Sequence, residues 1–134
     1  MKCLDTTFII DLLRGNKNAI EKAMDLELED KVITTEICVF ELYYGIFHQK
    51  SKKTKGYIKK LNKFLDKLEI FPLDRKSSIK AAKIAAELTK KGLEIGSHDS
   101  MIAGITLANG CNIIITDNVE HFKRIKEFTV ETYT

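Results

Sequence analysis

Four acidic residues lie where the surrounding sequence does not favour a solvent-exposed charge. Asp5 and Asp117 each follow a short apolar segment typical of a β-strand, and Glu41 lies in a helical segment with apolar residues on nearly all sides. Asp99 lies in the first turn of another apolar helical segment. Burying a carboxylate is costly unless its charge is paired or bound to a cation. We therefore take these four residues as the candidates for chemistry.

If the four side chains lie together, oxygen is the only ligand atom that they offer. Neighbouring carboxylates repel one another and raise one another's pKa unless a cation neutralises them. Oxygen ligands without histidine or thiolate favour Mg²⁺ or Mn²⁺ over zinc. Such an ion lowers the pKa of an attacking water and stabilises charge on a phosphate. The acids thus predict a metal-dependent hydrolase that acts on phosphodiester bonds.

Each acid also has an ordinary structural interpretation. Asp5 and Asp117 could be turn residues, and Asp99 could complement a helix dipole. Glu41 could pair with a buried lysine. Zinc-ligand spacing is absent, so the cysteines are expected to be buried and the histidines to be structural or solvent-facing. These residues are Cys3, Cys38, Cys111, His48, His98 and His121.

Short apolar runs alternate with longer stretches of helical periodicity, which predicts βαβ units around a parallel sheet. Ligands bind at the carboxyl ends of the strands in such sheets, where Asp5 and Asp117 are expected. The predicted strands span 2–4, 31–35, 69–73, 112–116 and 128–132. The predicted helices are one that ends near Gly15, then 18–28, 36–47, 54–68, a long helix from Asp74 to Gly92, 97–109 and 119–125.

Three residue patterns predict how particular elements are placed. The helix 36–47 is expected to be buried, with an inward face formed by four residues at helical spacing. That face consists of Ile37, Phe40, Tyr44 and Phe47. Ser97 is the predicted N-cap of the helix that carries Asp99, whose small residues would permit close packing against the sheet. Pro72 predicts that the third strand lies at a sheet edge, because proline cannot donate to a ladder.

Four segments around the acids resemble the motifs of the PIN-domain family, most closely those of the VapC toxins of toxin–antitoxin pairs. The segments are residues 4–13 (LDTTFIIDLL), 35–45 (TEICVFELYYG), 96–103 (GSHDSMIA) and 115–122 (ITDNVEHF). They match the family's acids to Asp5, Glu41, Asp99 and Asp117, and its hydroxyl residue to Thr116. The resemblance spans nearly the whole chain with the motifs in order. One departure is His121, where many relatives carry an aspartate.

The resemblance implies a three-layer α/β/α sandwich with a central parallel sheet. It implies cleavage of single-stranded RNA with Mg²⁺ or Mn²⁺ as cofactor, held by the four acids. Thr6 and Thr116, which lie beside two of those acids, are expected to support the site. The resemblance also implies a homodimer and a VapB-like antitoxin as partners.

A lysine-rich segment, 50–67, contains eight lysines and one acid. Its charge could hold RNA phosphates, or the lysines could form the solvated face of a helix. The lysines proposed to bind RNA are Lys52, Lys53, Lys55 and Lys59. Four aromatic residues are expected in the core or at a dimer interface rather than as platforms for stacked bases. They are Tyr43, Tyr44, Phe47 and Tyr57.

Composition limits the hypothesis further. The 134 residues, 44% of them hydrophobic, suffice for one domain over 1–134, and a net charge of +3 says little about partners. No run of about 18 apolar residues and no signal-peptide pattern occurs, so we expect a soluble cytoplasmic protein. The sequence contains no phosphate-binding loop of the kind that a nucleotide-hydrolysing or dinucleotide-binding enzyme carries.

Two alternatives to the metal-dependent nuclease remain. One is a non-catalytic RNA- or protein-binding module. The other is a phosphatase with Asp5 as nucleophile, although Thr7 stands where its second aspartate is expected.

Overall fold

The computed structural model describes residues 1–28, 31–49 and 51–134. Within them, five parallel strands form one sheet in the order β3-β2-β1-β4-β5. The strands are β1 (Lys2–Leu4), β2 (Val32–Thr35), β3 (Glu69–Phe71), β4 (Ile113–Ile115) and β5 (Thr129–Glu131). Each predicted strand is present, although most are shorter than expected. Strand β3 lies at the edge as Pro72 predicts, and it ends one residue before that proline.

Helices cover both faces of the sheet, which confirms the predicted α/β/α architecture. Those within the described residues are α1 (Thr6–Leu13), α2 (Lys17–Leu26), α3 (Glu36–His48), α4 (Thr54–Leu65), α5 (Arg75–Lys90), α6 (Ser97–Ala108) and α7 (Val119–Phe122). None of them combines the length and apolar character that crossing a membrane requires. The predicted helices are therefore all present, with ends that differ by a few residues.

Local capping explains where several helices begin. Asp74 caps α5 in a capping box, in which its carboxylate accepts from the Ser77 N–H at 2.8 Å. The prediction that Ser97 caps α6 is wrong, because Gly96 holds the cap position and Ser97 is already helical. The backbone at Gly96 has φ of 88°, a left-handed conformation that glycine adopts readily and other residues rarely do.

The alternation of side chains along each strand divides the core into two layers. On β1, Cys3 belongs to the cluster that includes Ile84 of α5 and Ile102 of α6. The next residue, Leu4, belongs to the cluster that includes Phe8 of α1 and other apolar residues of α3 and α4. Consecutive residues of a three-residue strand thus contribute to opposite cores.

Helix α6 packs closely against α5. A Cβ atom placed on Gly104 would lie 2.6 Å from both the Cβ and the backbone nitrogen of Ala81. The expectation of close packing through small residues therefore holds, but the tightest contact is with a helix rather than with the sheet. This contact holds α6, which carries Asp99 in its first turn, against α5.

The face of α3 that was expected to point inward is largely exposed. Phe40, Tyr44 and Phe47 have exposed fractions of 56, 59 and 66%. Cys38 and Leu42 are buried instead. Apolar residues occur on nearly every face of this helix, so periodicity alone could not determine which face packs against the core. The prediction that this face of the buried helix points inward is wrong, and α3 carries an exposed aromatic face.

The four aromatic residues that were expected in the core or at a dimer interface do not lie in the core interior. Tyr57 is 43% exposed, and Tyr43 is half-buried against the cluster that contains Leu42. Tyr44 and Phe47 belong to the exposed face of α3. The core part of the prediction is therefore wrong for the exposed residues, and the dimer part stays a prediction.

Candidate active site

Two neighbouring strands end at the same edge of the sheet and bring their following residues together. Leu4 of β1 pairs with Ile115 of β4, and the Asp5 N–H donates to the Ile115 carbonyl at 3.0 Å. Asp5 is the N-cap residue of α1, and Thr116 directly follows β4. The sequence prediction that this edge collects polar side chains is met for this pair of strands.

Asp5 is the most buried of the four acids, with 3% of its surface exposed. The Thr116 hydroxyl donates to its Oδ2 at 2.6 Å, and the Thr7 hydroxyl lies 3.2 Å from the same oxygen. Burial raises the pKa of Asp5 from its ordinary 3.8 to about 6, and the negative charges of Asp99 and Glu41 add to that rise. The hydrogen bond from Thr116 works in the opposite direction, since it stabilises the ionised carboxylate.

Glu41 of α3 faces Asp5 across the site. The Thr6 hydroxyl donates to Oε1 of Glu41 at 2.6 Å, and His98 Nδ1 lies 3.3 Å from Oε2. One potential ligand atom from each of Asp5, Glu41 and Cys38 lies within 4.8 Å of the others. The two carboxylates therefore lie close enough to share one cation.

Cys38 lies in this cluster but is poorly suited to bind such a cation. Burial raises the pKa of its thiol to about 11, with a further contribution from the charge of Asp5. Its backbone N–H and its sulfur both contact the Thr35 hydroxyl. A protonated thiol is a weak ligand, and hard cations such as Mg²⁺ prefer oxygen. The donor set that remains consists of carboxylate oxygens.

Asp99 lies in the first turn of α6 and is largely buried, with 16% of its side chain exposed. Its Oδ2 receives Asn118 Nδ2 at 2.9 Å and His121 Nδ1 at 2.7 Å. Among the described residues, it does not belong to the group of ligand atoms within 4.8 Å. It nevertheless lies near enough for its charge to raise the pKa of Asp5.

Asp117 is placed differently from the other three acids. It is exposed, and its backbone N–H donates to the Thr7 hydroxyl at 2.9 Å. Its carboxylate makes no hydrogen bond or ion pair within 1–28, 31–49 and 51–134. The structure thus brings Asp5, Glu41 and Asp99 together, whereas the side chain of Asp117 makes no polar contact with the described part of the chain.

Sequence reasoning missed four residues that contact these acids. Thr7 links the site through its hydroxyl, which lies 3.2 Å from that of Thr116. The expectation that the histidines are structural or solvent-facing omitted the contacts of His98 and His121 with carboxylates. The missed residues are Thr7, His98, Asn118 and His121. All four lie inside the motifs given above, within four residues of a candidate acid, so proximity in the motif was the available signal.

The proposed RNA-binding lysines are exposed on α4 and the turn before it, and none of the described contacts joins them to the acids. The set comprises Lys52, Lys53, Lys55 and Lys59. Lys50, the first lysine of that segment, lies outside the described residues. Their role in RNA binding stays a prediction.

Comparison with known proteins finds relatives that match this chain over nearly its whole length. The family model described as PIN domain matches residues 2–127. The chain is 30% identical to Ribonuclease VapC2 of Rickettsia felis over 131 residues, which cover 97% of this chain and 96% of that protein. It is 29% identical to the tRNA(fMet)-specific endonuclease VapC of Salmonella typhimurium over 130 residues, again with 97% and 96% coverage.

Solved structures show the same fold. The crystal structure of VapBC2 from Rickettsia felis bound to a DNA fragment from their promoter matches with a TM-score of 0.87 and 28% identity, covering 99% of this chain and 98% of that one. DNA-bound VapBC from Salmonella typhimurium matches with a TM-score of 0.85 and 28% identity, with the same coverage. FitAcB from Neisseria gonorrhoeae gives 0.82 and 26%, covering 100% and 97%.

Proposed function

This chain belongs to the PIN-domain family, and we propose that it is the endoribonuclease toxin of a VapBC-type toxin–antitoxin pair. We propose that Asp5, Glu41, Asp99 and Asp117 form its catalytic and metal-binding set, with Mg²⁺ or Mn²⁺ as the cofactor. The observation that supports this most is the burial of Asp5 beside Glu41, with Asp99 near enough to raise its pKa. Relatives named as ribonucleases support RNA as the substrate.

The donor set fits a hard divalent cation. Asp5 and Glu41 present carboxylate oxygens within 4.8 Å of each other, and the thiol in the same cluster stays protonated. Carboxylates held this close carry an electrostatic cost, which a bound cation would remove. We assign Asp5 and Glu41 as the principal ligands and Asp99 as the third acid. Asp117 is the outer member, since its carboxylate is exposed.

When bound, a divalent ion supplies a water of lowered pKa and stabilises charge on the scissile phosphate. The residues of this chain hold and orient the acids that bind it. Thr116 and Thr7 fix one oxygen of Asp5, and Thr6 fixes one oxygen of Glu41. These hydroxyl donors stabilise ionised carboxylates and hold their rotamers, so the acids are positioned before substrate arrives. This assigns Thr6 and Thr116 the supporting roles expected from the motifs.

RNA cleavage by the purified protein tests this proposal. Asp5→Asn and Asp99→Asn should abolish cleavage, and EDTA should abolish it in the wild type until Mg²⁺ or Mn²⁺ is restored in excess. Asp25→Asn is a matched control because Asp25 is an exposed acid on α2, outside the site. Equal cleavage by all these proteins, with and without EDTA, would reject the catalytic proposal and favour a non-catalytic module.

Two partners belong to the same proposal. The matched VapBC structures support a VapB-like antitoxin, since this chain resembles a chain of each over nearly its full length. The exposed aromatic face of α3 supports a homodimer, because apolar side chains such as Phe40 and Phe47 gain stability when they are buried. Light scattering on the wild type and on Phe47→Ser tests the dimer: an unchanged mass would exclude Phe47 from the interface.

A further inference from the structure

Two side chains at the start of α7 converge on one oxygen of Asp99. Asn118 Nδ2 lies 2.9 Å from Asp99 Oδ2, and His121 Nδ1 lies 2.7 Å from the same atom. Asn118 is the N-cap residue of α7, and His121 is the third residue of its single turn. Both distances lie within the normal range for hydrogen bonds.

The chemistry of these atoms determines which atom donates in each of the two hydrogen bonds. An ionised carboxylate only accepts, and an amide nitrogen only donates. The His121 ring nitrogen that faces Asp99 must therefore carry a hydrogen at Nδ1. The 3.0 Å separation between Asn118 Nδ2 and His121 Nδ1 then reflects two donors that meet at one acceptor. Across residues 1–28, 31–49 and 51–134, no hydrogen bond reaches the other oxygen, Oδ1.

The same short segment also connects Asp99 to Asp5. The Asn118 backbone N–H donates to the Thr116 hydroxyl at 2.8 Å, and that hydroxyl donates to Asp5 Oδ2 at 2.6 Å. The Asn118 side chain meanwhile holds Asp99. One residue thus sets the positions of two acids that come from different elements of the fold.

A buried anchor holds this segment in place. Phe122, the residue after His121, is fully buried and packs edge to face against Phe128 with ring centroids 6.0 Å apart. The imidazole of His121 is attached to an anchored turn, although 36% of its side chain is exposed. A donor on a rigid support orients a carboxylate more strictly than a mobile surface side chain would.

We propose that His121 and Asn118 are positioning residues that hold Asp99 through Oδ2 and leave Oδ1 directed to the divalent cation. The inference rests on the proposed function, because it assigns Asp99 to the metal site. Donors that orient metal ligands commonly contribute roughly 10- to 100-fold to metal affinity. The histidine then acts through Asp99, without itself binding the cation or the RNA.

Mn²⁺ affinity, measured by calorimetry in the absence of RNA, tests this role. His121→Phe keeps a flat ring and removes the donor, so it should weaken Mn²⁺ binding by about tenfold or more. His121→Asn should restore affinity to within about threefold of the wild type, because the asparagine amide nitrogen can occupy the place of Nδ1. Asp25→Asn is the control, since Asp25 is an exposed residue of α2 outside the site and outside the aromatic face of α3.

A second variant keeps the test decisive if His121→Phe does not fold. Asn118→Leu has a similar size and lacks the side-chain donor, and it should also weaken Mn²⁺ binding. Circular dichroism without metal verifies that each variant is folded. Wild-type affinity in a folded His121→Phe or Asn118→Leu would overturn the inference, as would a His121→Asn variant that binds as poorly as His121→Phe.

The outcomes separate this inference from the proposed function. A wild-type protein that binds Mn²⁺ and cleaves RNA, beside a His121→Phe variant of equal affinity, would reject the positioning role alone. A wild-type protein that neither binds Mn²⁺ nor cleaves RNA would reject the proposed function, and the positioning role with it.

Discussion

Replacing Asp5 by asparagine should stabilise the metal-free protein at neutral pH. The folded protein raises the pKa of Asp5 from 3.8 to about 6, chiefly through burial. Because the folded state holds this proton more tightly than the unfolded state, the free energy of unfolding falls as pH rises through that interval. The lost stability amounts to about 3 kcal/mol, since each pKa unit corresponds to about 1.4 kcal/mol.

Asparagine avoids this cost without removing the local contacts. Its side-chain carbonyl can accept the Thr116 hydroxyl as Oδ2 of Asp5 does. The Asp5 side chain makes no capping hydrogen bond to α1, so the substitution removes none. The free energy of unfolding of Asp5→Asn should therefore exceed that of the wild type by up to about 3 kcal/mol at pH 8. Below pH 4 the two free energies should nearly match. The proposed metal ligation by Asp5 would thus conflict with stability at this residue.

Urea unfolding in EDTA at pH 8, 6 and 4 measures the difference. Asp25→Asn, on the exposed face of α2, should show no such pH-dependent gain. Excess Mn²⁺ should reverse the order at pH 8, because the wild type gains binding energy that the variant lacks. A stability difference that is independent of pH, or an Asp5→Asn variant less stable than the wild type at pH 8, would refute the reasoning.

Three further predictions concern other parts of the fold. Gly104→Ala should lower the free energy of unfolding by about 1–3 kcal/mol, because its Cβ would lie 2.6 Å from Ala81; urea unfolding that matches the wild type would contradict the close contact. Thr116→Val should raise the pKa of Asp5 further and weaken Mn²⁺ binding at pH 7 by about tenfold, since it removes a hydrogen bond to the carboxylate; unchanged calorimetric affinity would count against that bond. Replacing four lysines with glutamine should make RNA affinity depend less steeply on salt concentration. An unchanged salt dependence would exclude these lysines from phosphate contacts. Those lysines are Lys52, Lys53, Lys55 and Lys59.

The order of elements could be predicted because each strand and helix carries its own local signal. The three isoleucines of β4 indicated an interior strand, and β4 does lie between β1 and β5. Asp74 indicated the start of α5, where it forms a capping box. These signals depend on neighbouring residues, so they can be interpreted without knowing the tertiary structure.

The orientation of α3 could not be predicted in the same way. Phe40 and Leu42 are both apolar, and only the packing against α1 and α4 determines that Leu42 is buried while Phe40 is 56% exposed. Gly96 was missed as the cap of α6 because its left-handed backbone depends on how the chain turns there.

The contacts within the candidate site were partly visible in the sequence. Asp5 and Asp117 could be placed at one sheet edge because both were predicted to follow parallel strands. His121 could not be assigned to Asp99, because 22 residues separate them and no ligand spacing links them. Whether Asp117 faces the proposed cation site also depends on side-chain direction at the end of β4, which the alternation of apolar residues does not determine.

A crystal of this protein soaked in Mn²⁺ would locate the cation by its anomalous scattering. The peak should lie between the carboxylates of Asp5 and Glu41, with metal–oxygen distances of about 2.1–2.2 Å. Two results from well-diffracting crystals would contradict a divalent ion shared by these carboxylates. One is the absence of any anomalous peak, and the other is a peak found only at another place on the surface.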